Sequence, residues 1–269
     1  MAIPLSIITI NYNNSLGLEN TIKGVISQSY KNFEFIIIDG GSTDNSVEII
    51  NSFSEEINYW VSEKDTGIYN AMNKGIIKSS GEYLLFLNSG DYLVDNNILS
   101  KIFDEECTSD IIYGDTVLFW NENKSLIHTY PETLNFSFFL KDNLSHPSTL
   151  IKKNLFEKFG LYNEKFRIVS DWLFCLMAIN KYNVSYKHVT FPFSVYDMSG
   201  VSSSEVGKKK AAEEKEEVLR LEFPTFISDY NDYFNIKREL NLMKLSKLHR
   251  LANFMNKKIL NIFRKNKIA

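Results

Sequence analysis

The sequence predicts an α/β fold: a doubly wound, mostly parallel central sheet with helices on both faces, plus a helical C-terminal extension. Three observations predict it. Short apolar, β-branched runs alternate with amphipathic segments up to Asp91. Each run ends in a cluster of Asn, Asp, Gly or Ser, as strands do where they give way to loops. Strand followed by helix followed by strand implies parallel pairing.

In chain order, Leu5 to Ile10 reads as a first strand that breaks at Asn11-Tyr12-Asn13-Asn14. Leu18, Ile22, Val25 and Ile26 fall at helical spacing, and Phe33 to Ile38 is a second strand ending in Asp39-Gly40-Gly41-Ser42-Thr43-Asp44. Thr43 or Asp44 caps a further helix with Val47, Ile49 and Ile50 on its apolar stripe. A third strand follows over Ile57 to Val61, then a helix from Gly67 to Ser79 with Tyr69, Met72 and Ile76 on one face. The fourth strand, Tyr83 to Leu87, ends in Asn88-Ser89-Gly90-Asp91. Beyond it the alternation loosens: a strand pair is expected around Asp110 to Trp120 and Ser125 to Tyr130, a helix over Ser170 to Asn180 and a strand over Tyr186 to Phe191. Glu205 to Glu222 mixes Lys and Glu at helical spacing, and Pro224 punctuates it. This gives a domain over residues 1–204, with halves at 1–115 and 116–204, and an extension over 205–269.

With 44% hydrophobic and 23% charged residues, the chain has the composition of a globular protein rather than a disordered one. Its two cysteines, Cys107 and Cys175, form no CxxC pair, and Pro4 and Ser6 interrupt the only N-terminal apolar run, so a reducing cytosol is expected. No stretch approaches the ~20 apolar residues needed to span a bilayer. The net charge of −3 argues against a nucleic-acid partner but hides an asymmetry. From Lys237 onward ten basic residues face one acid, a net of +9 that leaves −12 on the rest. Within that tail Leu240, Leu248, Leu251, Met255, Ile259 and Ile262 fall close to one helical face, the pattern of a basic amphipathic helix suited to an anionic membrane surface. Docking onto the acidic body, or pairing in an oligomer, is the alternative.

In open α/β sheets ligands sit at the carboxyl ends of the strands. Thr9, Asn11, Asp39, Asp44 and Asp91 all end or follow predicted strands and so can line one cleft, although Asx and Gly residues also make turns there. Asp39 stands apart, because a carboxylate between an apolar strand and two glycines can accept from a base or ribose while the backbone approaches closely.

Four stretches then carry a resemblance: Ser6 to Asn14, Asp39 to Ser46, Glu63-Lys-Asp-Thr-Gly-Ile-Tyr-Asn-Ala-Met-Asn-Lys-Gly75, and Asn88-Ser-Gly-Asp91. In order and spacing they resemble family 2 glycosyltransferases, such as those of bacterial surface polysaccharides, over about residues 5 to 200. The resemblance implies a GT-A fold and inverting transfer from a nucleoside-diphosphate sugar, with uracil the family's habitual base, to a glycan or lipid-linked acceptor. It places the nucleotide at Thr9, Asn11, Asp39, Asp44, Asp65 and Lys74. It also implies a divalent metal, Mn²⁺ or Mg²⁺, at the last carboxylate of a DxD-like element, here Asp91, with Asp197 in a later loop as reinforcement.

Two departures matter. Asn88-Ser89-Gly90-Asp91 keeps only one carboxylate, which leaves the diphosphate and water to complete an octahedral shell. Met72 stands where the family often carries Arg, so Lys74 or Lys64 is left to supply the cation. The resemblance carries the general base to Asp171 in Ser170-Asp171-Trp172, with helix capping as the plainer reading, and places His146 near the acceptor; Trp172, beside the base, is suited to stack on an acceptor sugar face, with core packing as the plainer reading.

Rival functions fare less well. A sugar-nucleotide-forming nucleotidyltransferase needs a glycine-rich loop soon after the first strand, yet Asn11 to Leu18 holds only Gly17, and no GxGxxG supports a dinucleotide oxidoreductase. A non-catalytic nucleotide-sugar-binding scaffold is opposed by retention of both Asp91 and Asp171.

Overall fold

The computed structural model describes residues 4–104 and 108–245 of the 269. The expected tail helix beyond Leu245, with Leu248, Leu251, Met255, Ile259 and Ile262, lies outside the described residues, as does Cys107. The chain falls into two compact units, Met1–Glu214 and Lys215–Ala269.

The first unit opens with β1 (Leu5–Asn11), α1 (Ser15–Ile26), β2 (Phe33–Asp39), α2 (Ser46–Ser52), β3 (Tyr59–Ser62), α3 (Ile68–Lys78) and β4 (Tyr83–Phe86). Strands β1 and β4 are buried along their whole length, and β2 along all but Phe33, because parallel strands with covered faces bury both sets of side chains. That is why they read as unbroken apolar runs. The order β3-β2-β1-β4 is parallel throughout, so the chain reverses direction of travel across the sheet between β1 and β4. The crevice at such a switch point, at the carboxyl ends of the strands, is where α/β sheets bind ligands.

The second half of the sheet comprises β5 (Tyr92–Leu93), β6 (Ile111–Asn121), β7 (Lys124–His128), β8 (Thr149–Lys152) and β9 (Tyr186–Asp197). Here β8 runs antiparallel to both β4 and β6, β5 antiparallel to β9, and β7 forms a hairpin with β6, while β6 and β9 are parallel. The sheet of nine strands is therefore mixed, with the expected parallel rhythm confined mainly to its first half. Helices α4 (Ile98–Asp104), α5 (Phe136–Phe139), α6 (Lys153–Phe159) and α7 (Ser170–Asn180) complete the layers. Helix α8 (Glu205–Glu222) crosses the division between the units, and α9 (Pro224–Leu245) belongs to the second, beginning at the proline rather than ending there, since proline suits a first helical turn.

A core of Leu5, Ile7, Leu18, Ile22, Phe35, Leu85 and Phe193 joins β1, α1, β2, β4 and β9. Each such side chain, fully buried, contributes about 1.5–3 kcal/mol. Among the described residues no helix is long and apolar enough to cross a membrane.

Candidate active site

Parallel register builds a polar cluster at the strand ends. Asn11 pairs with Asp39, and Asp39 with Ser62, so three polar side chains stand in a row across the carboxyl ends of β1, β2 and β3. Asn11 Nδ2 donates to Asp39 Oδ1 at 2.7 Å and Ser62 Oγ to Oδ2 at 2.6 Å. The loop after β2 curls back and adds the Ser42 hydroxyl at 2.6 Å, the Ser42 amide at 2.9 Å and the Gly41 amide at 3.2 Å. Burial alone would push the Asp39 carboxyl up, but hydrogen bonds from Ser42, Ser62 and Asn11 outweigh it and hold it below the ordinary aspartate range. Asp65 lies beside this cluster: a Cβ on Gly40 would come within 2.4 Å of its Oδ2, so a larger residue there would displace the Asp65 carboxylate. Its Oδ1 accepts the Gly67 amide at 3.0 Å, just ahead of α3.

The other expected nucleotide residues are placed differently. Thr9 is fully buried within β1, and its hydroxyl has no hydrogen-bond partner among the described residues. Both carboxylate oxygens of Asp44 serve helix starts: Oδ1 accepts the Ser46 amide and hydroxyl, and Oδ2 the Ser15 amide at 2.9 Å. Lys74 Nζ pairs with Glu63 at 2.8 Å.

Asp91 lies at the switch point, after β4. Its turn is pinned from α1: the Thr21 hydroxyl donates to the Asp91 carbonyl at 2.7 Å and accepts the Gly90 amide at 3.0 Å, and Asn14 Nδ2 donates to the Ser89 carbonyl at 2.9 Å. Asn14 also caps α1 through the Gly17 amide at 3.1 Å. Tyr92 of β5 pairs with Val195 of β9, and this brings Asp91 and Asp197, at adjoining strand ends, together. Asp91 Oδ1 accepts the Asp197 amide at 3.0 Å. Gly90, at φ +106°, presents its Cα 's bare face to Asp197: a Cβ there would come within 2.9 Å of Asp197 Oδ2.

The electrostatics of Asp91 oppose those of Asp39. It is 3% exposed, and burial pushes its carboxyl up to about 8, with the Asp197 charge adding to the rise against the Asp197 and Asn88 backbone hydrogen bonds. A divalent cation suits such a group, because it offsets both the lost hydration and the repulsion between the two carboxylates. Among the described residues no three His, Cys, Asp or Glu side chains cluster as a metal cage, so a cation bound here would rest on Asp91 and Asp197 and take its other ligands from elsewhere.

Asp171 stands in the first turn of α7. Tyr69 Oη donates to its Oδ1 at 2.7 Å and Asn143 Nδ2 to its Oδ2 at 3.1 Å, while His146 Nδ1 lies 3.5 Å from Oδ2. His146 packs on Phe86, its Nε2 lies 3.1 Å from the Tyr162 hydroxyl, and burial lowers its basicity more than Asp171 restores it. His146 and Asp171 are thus brought together as expected. Trp172 is a correction: it is 1% exposed and its indole N–H donates to the Phe139 carbonyl at 2.7 Å. One residue on from Asp171 turns a helical side chain by about 100°, into the core rather than toward an acceptor.

Tyr196 on β9 has its hydroxyl 2.6 Å from that of Ser202, and burial, with the charges of Asp91 and Asp171 adding, raises its phenol above the ordinary tyrosine range against hydrogen bonds from Ser202 and Ser203. Sequence reading missed Tyr196, Tyr69, Ser62, Thr21 and Asn143. Only Ser62 carries a signal beforehand, as the polar residue at the end of the third apolar run.

A row of polar side chains at strand ends, a buried acid at the switch point and a third acid at the start of α7 make up the candidate site, and comparison with known proteins names the family. The chain belongs to glycosyl transferase family 2, whose family model matches residues 6–160. It is a glycosyltransferase. A PGL/p-HBAD biosynthesis glycosyltransferase of Mycobacterium bovis is 29% identical over 219 residues, covering 78% of this chain and 83% of that one. TarS of S. aureus, solved in complex with UDP-GlcNAc, superposes with a TM-score of 0.59 at 19% identity over 72% of this chain and 58% of that one. The mannosyltransferase PcManGT from Pyrobaculum calidifontis, solved with GDP-Man and Mn2+, gives a TM-score of 0.53 at 15% identity over 73% and 57%. This chain therefore spans under two thirds of those two solved chains, and at such identities they share its GT-A fold alone.

Proposed function

We propose that the enzyme moves a sugar from a nucleoside-diphosphate sugar, with UDP the preferred carrier, to a hydroxyl of a glycan or lipid-linked acceptor, inverting the anomeric carbon. The observation that supports it is two separately held carboxylates: Asp91 at the switch point, which accepts the Asp197 amide, and Asp171 at the start of α7, which accepts from Tyr69 and Asn143; we read the first as the diphosphate end and the second as the base end. Asn11, Asp39 and Asp65 form the nucleotide end, where the base and ribose bind against the polar row.

Asp171 takes the proton of the acceptor hydroxyl as that oxygen bonds to the anomeric carbon. The bond from that carbon to the diphosphate oxygen breaks on the opposite face, and its electron pair leaves with the nucleoside diphosphate. Asp91 and Asp197 hold Mn²⁺ or Mg²⁺, which when bound neutralises the charge growing on the leaving group. In this reading His146, 3.5 Å from Asp171, contacts the acceptor, and Lys74, paired with Glu63, contacts the donor diphosphate.

The decisive variant is Asp171→Asn. Product release is followed with a panel of UDP-, GDP- and dTDP-sugars and aryl glycosides as acceptors, water serving as the acceptor of last resort. Transfer is expected to fall by at least about 10³-fold while nucleoside-diphosphate affinity stays within a few fold. Retained transfer, or loss of nucleotide binding in step with it, removes Asp171 from this role.

We also propose that the basic tail holds the enzyme at an anionic membrane surface from the cytoplasmic side, which brings the cleft to a lipid-linked acceptor. Deleting residues 246–269 is expected to release the protein from phosphatidylglycerol vesicles with its melting temperature unchanged. Persistent vesicle binding contradicts that.

A further inference from the structure

We infer that Tyr69 is a positioning residue that orients the Asp171 carboxylate, and that helix α3 carries this control from the donor side of the cleft. The inference rests on reading Asp171 as the general base. An aspartate side chain turns freely about its last bond, so a base works best when something fixes which lone pair faces the acceptor. Asp171 has such a fixture on each oxygen: the Tyr69 hydroxyl on Oδ1 at 2.7 Å, and the Asn143 amide on Oδ2 at 3.1 Å. The two donors come from different segments, 102 and 28 residues away, which is what locks a rotation rather than merely satisfying a charge. Tyr69 is buried and held well above the ordinary tyrosine range, first by burial and then by the Asp171 charge, so its hydroxyl remains a donor at any working pH.

Helix α3 is anchored at both relevant places. At its start, the Gly67 amide donates to Asp65 Oδ1, and Asp65 lies against Gly40 in the nucleotide-side cluster. One turn beyond Tyr69, Asn73 exchanges two hydrogen bonds with the backbone of Tyr162: Nδ2 to its carbonyl at 2.9 Å, and its amide to Oδ1 at 3.0 Å. Asn70 and Asn73 both donate to the Glu164 carboxylate, at 2.9 and 2.8 Å. This loop in turn joins the start of α7, where the Asn163 amide donates to the Ser170 hydroxyl at 2.6 Å. The separation between α3 and the helix that carries Asp171 is thus set by amide pairs, and Tyr69 reaches across that fixed gap. A shift at Asp65 would pass through α3 to the orientation of the Asp171 carboxylate.

The test is Tyr69→Phe, which removes the hydroxyl and keeps the ring that packs 5.5 Å from Tyr162. Steady-state transfer is measured with the donor and acceptor pair chosen from the panel above, with functional sites counted by UDP titration in the presence of Mn²⁺. The expected result is a kcat lower by about 10- to 100-fold, because a misaligned base loses its attack geometry, with donor KM and UDP affinity unchanged within about two-fold. A kcat within two-fold of the parent overturns the inference. So does loss of UDP binding in parallel with transfer, since the hydroxyl then serves the fold alone. Asp171→Asn in the same assay separates the two readings: if it retains transfer, the base assignment fails; if it abolishes transfer while Tyr69→Phe does not slow it, only the role of Tyr69 fails.

Discussion

Asp39 and Asp91 occupy equivalent places, each at or just beyond the carboxyl end of a central parallel strand and each almost fully buried, yet they are in opposite states. Asp39 accepts five hydrogen bonds from Asn11, Gly41, Ser42 and Ser62 and is held below the ordinary aspartate range. The Asp91 side chain accepts from the Asp197 amide, has a second carboxylate beside it and is pushed up to about 8. The first acid is kept charged by donors of the chain itself. The second is left costly to ionise, because it is set deeper and meets fewer donors. Both differences, and not exposed area alone, separate the two carboxylates.

This contrast is open to direct attack. The largest effect is expected for Asp39→Asn, because an amide cannot accept all those donors and its own N–H₂ group faces some of them. The loss in unfolding free energy should be about 2–4 kcal/mol, read from urea denaturation. A smaller effect concerns pH. A folded-state value below the unfolded one of about 3.9 gives stability that is complete above that pH and is lost as pH falls through the lowered folded value. The parent should therefore lose stability in acid through this group, and Asp39→Asn should lack that component. The smallest effect is expected for Asp91→Asn without metal, where an amide replaces a carboxyl group that burial already keeps from ionising, and the melting temperature stays unchanged or rises. If Asp91→Asn destabilises as much as Asp39→Asn, the two acids do the same work and the contrast is broken.

How much of this was legible beforehand follows from the same physics. Strands β1, β2 and β4 were, because strands covered on both faces need unbroken apolar runs; the half-buried β3 showed as a shorter run; and Asp39 and Asp91 were because one ends such a run and the other closes the turn after one. Strands β5 and β8 were not: they have two and four residues, and their pairing partners lie far along the chain. Ser62 shows beforehand only as the polar end of an apolar run, and Thr21 gains its meaning from packing, which no local pattern encodes. Tyr69 was read as part of an apolar helix stripe, and its ring is indeed buried; its hydroxyl matters only because α7 brings Asp171 to it. Trp172 was misplaced for a related reason, since adjacency to Asp171 in sequence means a different face on a helix.

The central claim is that Asp91 serves a metal-bound diphosphate, and the most direct measurement is thermal stabilisation by UDP-, GDP- and dTDP-sugars, with Mn²⁺ or with EDTA, on the parent and on Asp91→Asn. At least one sugar nucleotide should raise the parent's melting temperature with Mn²⁺ and not with EDTA, and Asp91→Asn should lose that dependence. Equal stabilisation in Mn²⁺ and EDTA, unaltered by the substitution, would contradict it.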